Sequence, residues 1–325
     1  MSSDFVVLGA TGTTGGLVAD HLVRRGASVV LAGRDPGRLA EVAGRLAPGN
    51  PSVTTTAVDL GDHSAVSAMA RAGRVLVNAV GPFARLAPAV VTACLAAGTA
   101  YVDIANERAA VRALLDRDGE ARERGVSLVT GAGFGLTATE ALVLTLLAEG
   151  VRPSRVVVAA AAGSPLDTEG VRNTVAEAIA DGATTYRGGE LVRAPFGHGA
   201  TSLTFGGAAR QVVPAPVGDL EAALRISGAA DVTAYVALRG SAAPDPRSYS
   251  YAEITDEEGR AHTAELSTGE GFVFSAAIAA ETAFRLLGTT RPGAWTPCRL
   301  LGVDLVTGVA GTAVEVSGGV LRSGR

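Results

Sequence analysis

A glycine-rich turn near the N-terminus is the segment whose residue types and spacing best fit a defined chemistry. The turn, Gly9-Ala10-Thr11-Gly12-Thr13-Thr14-Gly15, follows an apolar run over residues 5–8 and precedes a segment with helical spacing. Glycines there let the backbone approach a pyrophosphate, and the following helix N-terminus presents unpaired N–H groups to it. Because it lies between a strand and a helix, the turn indicates dinucleotide binding rather than a purely structural turn. The cofactor-binding candidates in it are Gly9, Thr11, Gly12, Thr13, Thr14 and Gly15.

The end of the second predicted strand indicates which dinucleotide binds. A carboxylate there would bind the ribose 2′-hydroxyl of NAD, whereas arginine accommodates the 2′-phosphate of NADP. After the strand over 28–32 the sequence has Gly33, Arg34 and Asp35, and Arg38 lies one helical turn further. We expect Asp35 to cap the next helix and both arginines to hold a phosphate. The prediction is NADP(H); the alternative is that both arginines only solvate a helix start.

Two further strand ends supply the remaining candidates for the nucleotide pocket. Asp59 and Leu60 follow the third predicted strand, where they would border the adenine. Asn78 ends the fourth strand and is expected to hydrogen-bond the cofactor. The residues after it are small and would leave room for the cofactor backbone: Ala79, Val80, Gly81 and Pro82. Ligands of open parallel sheets bind outside the carboxyl ends of the strands, so these positions should converge.

The elements that position these residues alternate between strand and helix through the first 130 residues. The predicted strands cover 5–8, 28–32, 53–58, 75–80, 100–104 and 126–130, and the helices 13–25, 36–46, 64–70, 87–97 and 107–124. Short, continuously apolar strands are typical of a parallel sheet buried on both faces. The alternation predicts an α/β fold with an N-terminal Rossmann domain, a doubly wound parallel sheet.

The pattern changes after residue 131. Helices are predicted over 137–149, 168–181, 218–227 and 271–287, and strand-like segments over 155–162, 184–213, 232–238, 249–255, 261–266 and 312–316. This predicts a C-terminal α+β domain built on a mostly antiparallel sheet, with a hairpin at Asp256-Glu257-Glu258-Gly259. We expect residues 1–133 to bind NADP and residues 134–288 to serve substrate binding and dimerisation. Residues 289–325 are a candidate completion of the first domain.

The composition excludes several classes of chemistry. All 28 basic residues are arginine, so no lysine can form a Schiff base, contact phosphates in a P-loop, or complete a Tyr-x-x-x-Lys proton relay. A net charge of −4 argues against nucleic acid or an anionic membrane as partner. Two distant cysteines and four scattered histidines suggest neither a disulfide framework nor a metal site. Without a signal peptide or an apolar run of roughly 20 residues, we expect a cytoplasmic protein.

Several segments carry a family resemblance. They are residues 9–15, 33–34, 78–83 and 94–103, followed in the second half by 218–220, 254–260 and 292–297. Together they resemble the saccharopine dehydrogenase-like oxidoreductases, most closely the bacterial branch often described as trans-acting enoyl reductases. The resemblance extends over nearly the whole chain. It implies a Rossmann domain, a second domain whose sheet covers the active cleft, NADPH use and frequent dimers.

The sequence departs from the family pattern at two places where substrate contacts are expected. Ile104-Ala105-Asn106-Glu107 stands where the family usually has Ser-Gly-Glu, and Ser227-Gly228-Ala229-Ala230 where it usually has Ser/Thr-Gly-Ile-Pro. The family's substrates therefore cannot be transferred to this chain.

No catalytic triad, metal cluster or carboxylate pair is evident in the sequence. Hydride transfer does not need one, because the cofactor carries the chemistry and the protein orients it. The candidate proton donors are Tyr101 and Asp103 at the fifth strand end, and His198 in a glycine-rich loop. The alternatives are packing or capping for the first two and a surface-loop role for His198.

Three functions are compatible with these features. The leading one is an NADPH-dependent oxidoreductase, acting as a homodimer, that reduces a C=C or C=N bond of a small or carrier-bound metabolite. The second is an opine-type dehydrogenase that reduces an imine, with Arg85 or Arg108 binding substrate carboxylates. The third is a regulator that binds NADP without turnover.

Overall fold

The computed structural model describes residues 3–163, 176, 179–238, 246–288, 291–316 and 319–321. Contacts divide the chain into two compact units. The first is Met1–Ala105, Ala110–Ala132 and Ser275–Leu300, and the second is Asn106–Ala109, Gly133–Phe274 and Leu301–Arg325. The segment 289–325 is thus divided between both units. The helix predicted over 168–181 falls mostly outside the described residues.

Strands and helices alternate in the first half, and strands dominate the second. The described strands are β1 (Ser3–Leu8), β2 (Val29–Gly33), β3 (Val53–Ala57), β4 (Gly73–Asn78), β5 (Ala100–Asp103), β6 (Ser127–Val129), β7 (Pro153–Ala161), β8 (Ala183–Arg187), β9 (Glu190–Ala194), β10 (Thr201–Phe205), β11 (Ala208–Pro214), β12 (Asp231–Ala237), β13 (Ser248–Asp256), β14 (Ala261–Thr268), β15 (Gly293–Trp295), β16 (Ala313–Val316) and β17 (Gly319–Leu321). The described helices are α1 (Thr13–Arg24), α2 (Pro36–Leu46), α3 (His63–Arg71), α4 (Phe83–Ala97), α5 (Arg108–Leu115), α6 (Asp118–Glu123), α7 (Leu136–Ala148), α8 (Gly218–Ser227), α9 (Gly271–Leu286), α10 (Pro297–Leu301) and α11 (Asp304–Thr307).

The first unit is built on a seven-stranded sheet in the order β15-β6-β5-β4-β1-β2-β3. Every described pair in it is parallel. Phe5, Val6 and Val7 of the central strand are fully buried, as expected for a parallel strand covered on both faces. The sheet confirms the predicted doubly wound α/β fold, and β1 lies between β2 and β4, where ligands of such sheets bind.

Three elements of the first unit differ from the sequence prediction. β15, from a segment that sequence patterns indicated as turn-rich, extends the sheet by pairing with β6, since three residues are too short for a periodic signal. The helix predicted over 107–124 is two helices, α5 and α6. α4 begins at Phe83, which is buried, instead of at Ala87, and it contains Pro88.

The second unit is built on a ten-stranded sheet. Its main path is β10-β11-β12-β7-β13-β14-β16-β17, and β8 pairs with both β12 and β9. Only the β12–β7 pair is parallel among the described pairs, which confirms the mostly antiparallel prediction. The β13–β14 hairpin turns at Gly259, whose φ of +82° requires the freedom of glycine.

Candidate functional site

The glycine turn after β1 is folded so tightly that two of its positions exclude a side chain. Gly9 has a φ of +88°, and a Cβ there would lie 2.7 Å from Cγ2 of Val80. A Cβ on Gly15 would collide with the carbonyl oxygen of Gly9. The turn therefore contacts the loop after β4, and glycine is required at both positions by the close approach.

The first turn of α1 is open to an anion. Its cap residue Gly12 makes no side-chain hydrogen bond, and no acidic residue lies in the first turn. The N–H groups there have no partner within the helix, and the positive end of the helix dipole is unopposed. Gly12 and Thr13 are exposed and Thr11 is half-buried, whereas Thr14 is buried. This cradle fits the pyrophosphate of a dinucleotide.

Two arginines lie beside this cradle. Arg38 Nη2 donates a hydrogen bond of 3.2 Å to the carbonyl oxygen of Thr11, and a Cβ on Gly33 would lie 3.9 Å from Oγ1 of Thr11. Arg34, the next residue, is exposed. Oδ1 of Asp35 accepts the N–H groups of Gly37 at 2.9 Å and Arg38 at 3.1 Å, which confirms that Asp35 caps α2. Arg38 therefore lies against the glycine turn, and Arg34 directly follows the last residue of β2.

The other nucleotide-pocket candidates form local turns. Asp59 is exposed and Leu60 half-buried, and Oδ1 of Asp59 accepts the N–H of Gly61 at 2.9 Å. Asn78 is buried, and its Oδ1 accepts the N–H of Val80 at 3.0 Å. Ala79 and Val80 follow β4 and border Gly9, and Gly81 and Pro82 lead into α4.

Asn78 is engaged within the protein at both ends of its amide. Its Nδ2 donates a hydrogen bond of 3.0 Å to the hydroxyl of Tyr101, while its Oδ1 holds the N–H of Val80. The side chain therefore fixes the loop that contacts the glycine turn.

Tyr101 and Asp103 form a buried network with Asn78 at the carboxyl end of the sheet. The Tyr101 hydroxyl donates to Oδ2 of Asp103 at 3.0 Å. Oδ1 of Asp103 accepts from Oγ1 of Thr130 at 2.7 Å, from the N–H of Gly131 at 3.0 Å and from the N–H of Ala105 at 3.1 Å. Tyr101 is 0% and Asp103 1% exposed, so this network is enclosed by protein.

Burial changes the acid–base properties of this pair. It raises the pKa of Asp103 to about 6, against the opposing effect of the hydrogen bond from Thr130. Burial and the neighbouring Asp103 carboxylate raise the pKa of Tyr101 well above its usual range. The hydrogen bonds of the pair tie β4 and β5 to the residues after β6. Tyr101 and Asp103 were selected because they lie at the carboxyl end of a parallel strand. Thr130 lies at the carboxyl end of β6 and meets the same criterion, but it was not among the predicted site residues.

His198 lies in the second unit, in the loop between β9 and β10. It stands between Gly197 and Gly199, whose φ angles are +85° and +77°, and its side chain is exposed. His198 borders a cavity of about 200 Å³ within that unit. The structure therefore brings Tyr101 and Asp103 together and places His198 in a different unit.

The second unit also buries an ion pair that our sequence reasoning missed. Arg108 Nη1 donates to Oε1 of Glu221 at 2.8 Å, and the Tyr186 hydroxyl donates to the same oxygen at 2.7 Å. The side chains of Arg108 and Glu221 are 9% and 2% exposed. Arg108, a candidate for binding substrate carboxylates, is thus neutralised inside the protein.

A second buried carboxyl group lies near the start of α8. Oδ1 of Asp219 accepts from Oγ1 of Thr139 at 2.9 Å, and burial raises the pKa of Asp219 to about 6. Gly135 has a φ of +98°, and a Cβ on it would lie 3.3 Å from Oδ1 of Asn106 and 3.6 Å from Oδ2 of Asp219. The close approach explains why glycine precedes α7.

Among the described residues, no group of three or more His, Cys, Asp or Glu side chains is arranged to hold a metal ion. None of the described helices has the length and apolar character needed to cross a bilayer.

The first unit has the architecture and the phosphate turn of a Rossmann nucleotide-binding domain, with arginines where a 2′-phosphate would lie. Residues 5–129 match the family model of the saccharopine dehydrogenase NADP-binding domain. This part of the chain is similar to the NADP-binding domain of saccharopine dehydrogenases, in agreement with the predicted NADP(H) cofactor.

Curated relatives match about two fifths of the chain. The trans-acting enoyl reductase of Mycobacterium ulcerans is 34% identical over 134 residues, 40% of this chain and 32% of that protein. A lipid droplet localized protein of Caenorhabditis elegans is 35% identical over 140 residues, 40% of this chain and 33% of that protein. The chain therefore matches about a third of the length of these curated relatives.

A solved structure is similar over almost the full length. The apo saccharopine dehydrogenase (L-Glu forming) of Saccharomyces cerevisiae matches with a TM-score of 0.65 and 14% identity, over 94% of this chain and 96% of that one. At this identity the similarity shows a shared fold, a Rossmann sheet combined with a second, mixed sheet.

Proposed function

We propose that this protein is an NADPH-dependent oxidoreductase that reduces a double bond of a small or carrier-bound metabolite. The observation that carries the proposal is the uncapped start of α1, free of acidic residues, with Arg34 and Arg38 at the end of β2. The names of the trans-acting enoyl reductases to which part of this chain is similar favour a C=C bond as the group reduced.

The residues of this chain would divide the work of holding the cofactor. Gly9 and Gly15 let the backbone approach the pyrophosphate, and the first turn of α1 donates N–H groups to it. Arg34 and Arg38 would hold the 2′-phosphate by charge-assisted hydrogen bonds. Bound NADPH would supply the hydride. The network of Asn78, Tyr101 and Asp103 would keep the loop after β4 in place beside the turn.

The proton donor is a separate prediction. Tyr101 and Asp103 are enclosed, so we assign them positioning roles, and His198 is the exposed candidate of the three. His198→Gln is expected to lower kcat with little effect on NADPH affinity. Unchanged kcat would leave the donor to another group or to water.

Cofactor preference tests the proposal. We expect wild type to bind NADPH much more tightly than NADH in calorimetric titrations. Losing one charge-assisted hydrogen bond costs about 1.5–3 kcal/mol, so Arg34→Ala or Arg38→Ala should weaken NADPH binding by roughly 10- to 100-fold. NADH binding should change little. Arg45→Ala, an exposed arginine in the last turn of α2, is the matched control. Equal affinity of wild type for both cofactors would contradict the arginine assignment.

Turnover separates the enzyme from a regulator that only binds NADP. We expect NADPH oxidation, followed by its absorbance, with enoyl thioesters as substrates. Turnover only with mixtures of amino acids and keto acids would instead favour the opine-type dehydrogenase. That alternative is weakened by the pairing of Arg108 with Glu221, which leaves Arg85, exposed near the start of α4, to bind a carboxylate. Tight NADPH binding without any turnover would favour the regulator.

Homodimer formation and a cytoplasmic location stay predictions. Sedimentation equilibrium of the full chain measures the first, and fractionation of cells that express it measures the second.

A further inference from the structure

A cavity of about 200 Å³ lies in the second unit, on one face of its sheet. It lies where β8 and β11 both pair with the same edge of β12. One edge of β12 is paired with β7 from Asp231 to Val236. The other edge pairs first with β8, at Val232 and Thr233, and then with β11, from Tyr235 to Ala237. β8 and β11 therefore part near Ala234, and this fork opens a space beside the sheet.

The register places the walls of the cavity on a single face. Thr185 lies opposite Thr233, and Pro214 lies opposite Tyr235. Directly opposed residues share a face, as do alternate residues of one strand. Tyr186, whose hydroxyl bonds to Glu221, points to the other face. The cavity is thus separated by the sheet from the buried ion pair of Glu221.

The loop after β9 completes the cavity. His198 and Gly199 line it, and a Cβ on Gly199 would lie 3.3 Å from Cγ of Pro214. The positive φ angles on both sides of His198 hold a short turn against the sheet. The imidazole of His198 is therefore kept at the rim of the cavity.

The lining combines nitrogen donors, which suit an anion, with mostly apolar walls. None of the lining residues is acidic, and Arg187 and His198 are the nitrogen donors among them. Glu190 lies opposite Arg187 across the hairpin, but within the described part of the chain no ion pair joins them. Carbon walls come from alanine, valine and proline side chains and from Tyr235. An arginine fork and a second N–H donor match a carboxylate.

One of the lining residues carries a buried hydroxyl group. Oγ1 of Thr233 is buried without a hydrogen-bond partner, and Thr233 is 1% exposed. Buried polar groups in native proteins are almost always paired. Rotation of the Thr233 side chain would turn this hydroxyl toward a carboxylate oxygen in the cavity, which would accept its hydrogen.

We propose that this cavity binds a small monocarboxylate with a compact apolar body, held by Arg187, His198 and Thr233. An apolar cavity of about 150 Å³ holds benzene, so a benzoate-sized ligand suits the 200 Å³ available here. All three residues belong to the second unit, and the site does not rest on the NADPH proposal. Its binding is measured on the full chain without nucleotide.

Benzoate, with benzamide as its uncharged counterpart, is the probe. We expect calorimetry or saturation-transfer NMR to detect benzoate binding at least about tenfold tighter than benzamide binding, about 1.4 kcal/mol. Arg187→Gln, at an exposed position, should remove that preference. Thr233→Val, which keeps the shape and deletes the hydroxyl, should weaken benzoate binding by a similar factor. Arg193→Gln is the matched control, because Arg193 pairs with Thr184 on the other face.

Several outcomes would overturn the site. They are undetectable benzoate binding at millimolar concentration, equal binding of benzoate and benzamide, or equal loss in Arg187→Gln and Arg193→Gln. If Thr233→Val fails to fold, the Arg187→Gln comparison alone decides. Arg187→Gln is expected to bind NADPH as wild type does. Benzoate binding therefore tests the cavity, and NADPH binding tests the cofactor assignment separately.

Discussion

The hydroxyl of Tyr101 donates a hydrogen bond of 3.0 Å to Oδ2 of Asp103, two residues further along β5. Side chains at alternate positions of a strand share a face, so this bond lies along the strand and inside the unit. Asn78 joins it from β4, and Thr130 joins it from the end of β6. The bond therefore belongs to a buried brace across three neighbouring strands, next to the loop that contacts the glycine turn.

Asp103→Asn should change how stability depends on pH. The pKa of Asp103 is about 6 in the folded protein and 3.8 without its surroundings, so the folded state binds the proton more tightly. This group stabilises the fold fully below about pH 4, and that contribution is lost as pH rises through about 6. The asparagine does not titrate. The difference in unfolding free energy, wild type minus variant, should therefore shrink by about 2.4 kcal/mol between pH 4 and 7.

Urea unfolding at closely spaced pH values measures this difference. Asp219, whose pKa is also raised to about 6, is present in both proteins, so its contribution cancels. A difference that stays constant from pH 4 to 7 would show that the Asp103 carboxyl titrates alike in the folded and unfolded chain.

Tyr101→Phe should raise the pKa of Asp103 further. The hydrogen bond from Tyr101 favours the charged carboxylate and lowers that pKa. Without this bond, the effect of burial on the Asp103 pKa is less opposed, so the pKa rises. The variant also leaves Nδ2 of Asn78 without its acceptor, which should lower the free energy of unfolding by about 1–3 kcal/mol. Carbon-13 NMR of the aspartate carboxyl groups follows the titration. Tyr251→Phe, which removes a hydroxyl bonded to Glu253, is the control, and a lowered Asp103 pKa in Tyr101→Phe would refute the brace.

Gly15→Ala should abolish NADPH binding and destabilise the first unit. The added methyl group collides with the carbonyl oxygen of Gly9, so the turn must open, at a cost of about 1–3 kcal/mol. Gly44→Ala is the matched control, since Gly44 lies within α2 and a Cβ there meets nothing within 4 Å. That variant should gain up to about 1 kcal/mol and bind NADPH normally. Calorimetry and thermal unfolding give both readouts; wild-type affinity in Gly15→Ala would contradict the cradle.

Glu221→Gln should destabilise the second unit strongly. It removes the charge that neutralises buried Arg108, and breaking a buried ion pair typically costs about 3–5 kcal/mol. Asp20→Asn breaks the exposed pair between Asp20 and Arg24 and should leave stability almost unchanged, because exposed ion pairs contribute little. Thermal unfolding compares the two variants. Similar losses in both would mean that burial of the Arg108–Glu221 pair contributes little.

Local patterns accounted for most of the first unit. The apolar runs predicted the parallel strands, the glycine turn predicted the cradle before α1, and the sequence after β2 predicted both the Asp35 cap and the arginines beside it. These features depend on backbone conformation and periodicity within a few residues, which a sequence states directly. The hairpin at Gly259 was predictable for the same reason.

Long-range pairing decided the rest. The Arg108–Glu221 pair joins residues 113 positions apart, and the Thr130 bond to Asp103 spans 27. Neither follows from a local window, because strand order and register determine which side chains meet. The same holds for β15, which adds to the first sheet, and for the fork of β8 and β11 that opens the cavity at Thr233. The sequence by itself determined the NADP-binding turn, since that chemistry is local. Only the tertiary structure decided that Tyr101 and Asp103 brace the sheet and that His198 borders a cavity, since burial depends on packing between distant elements.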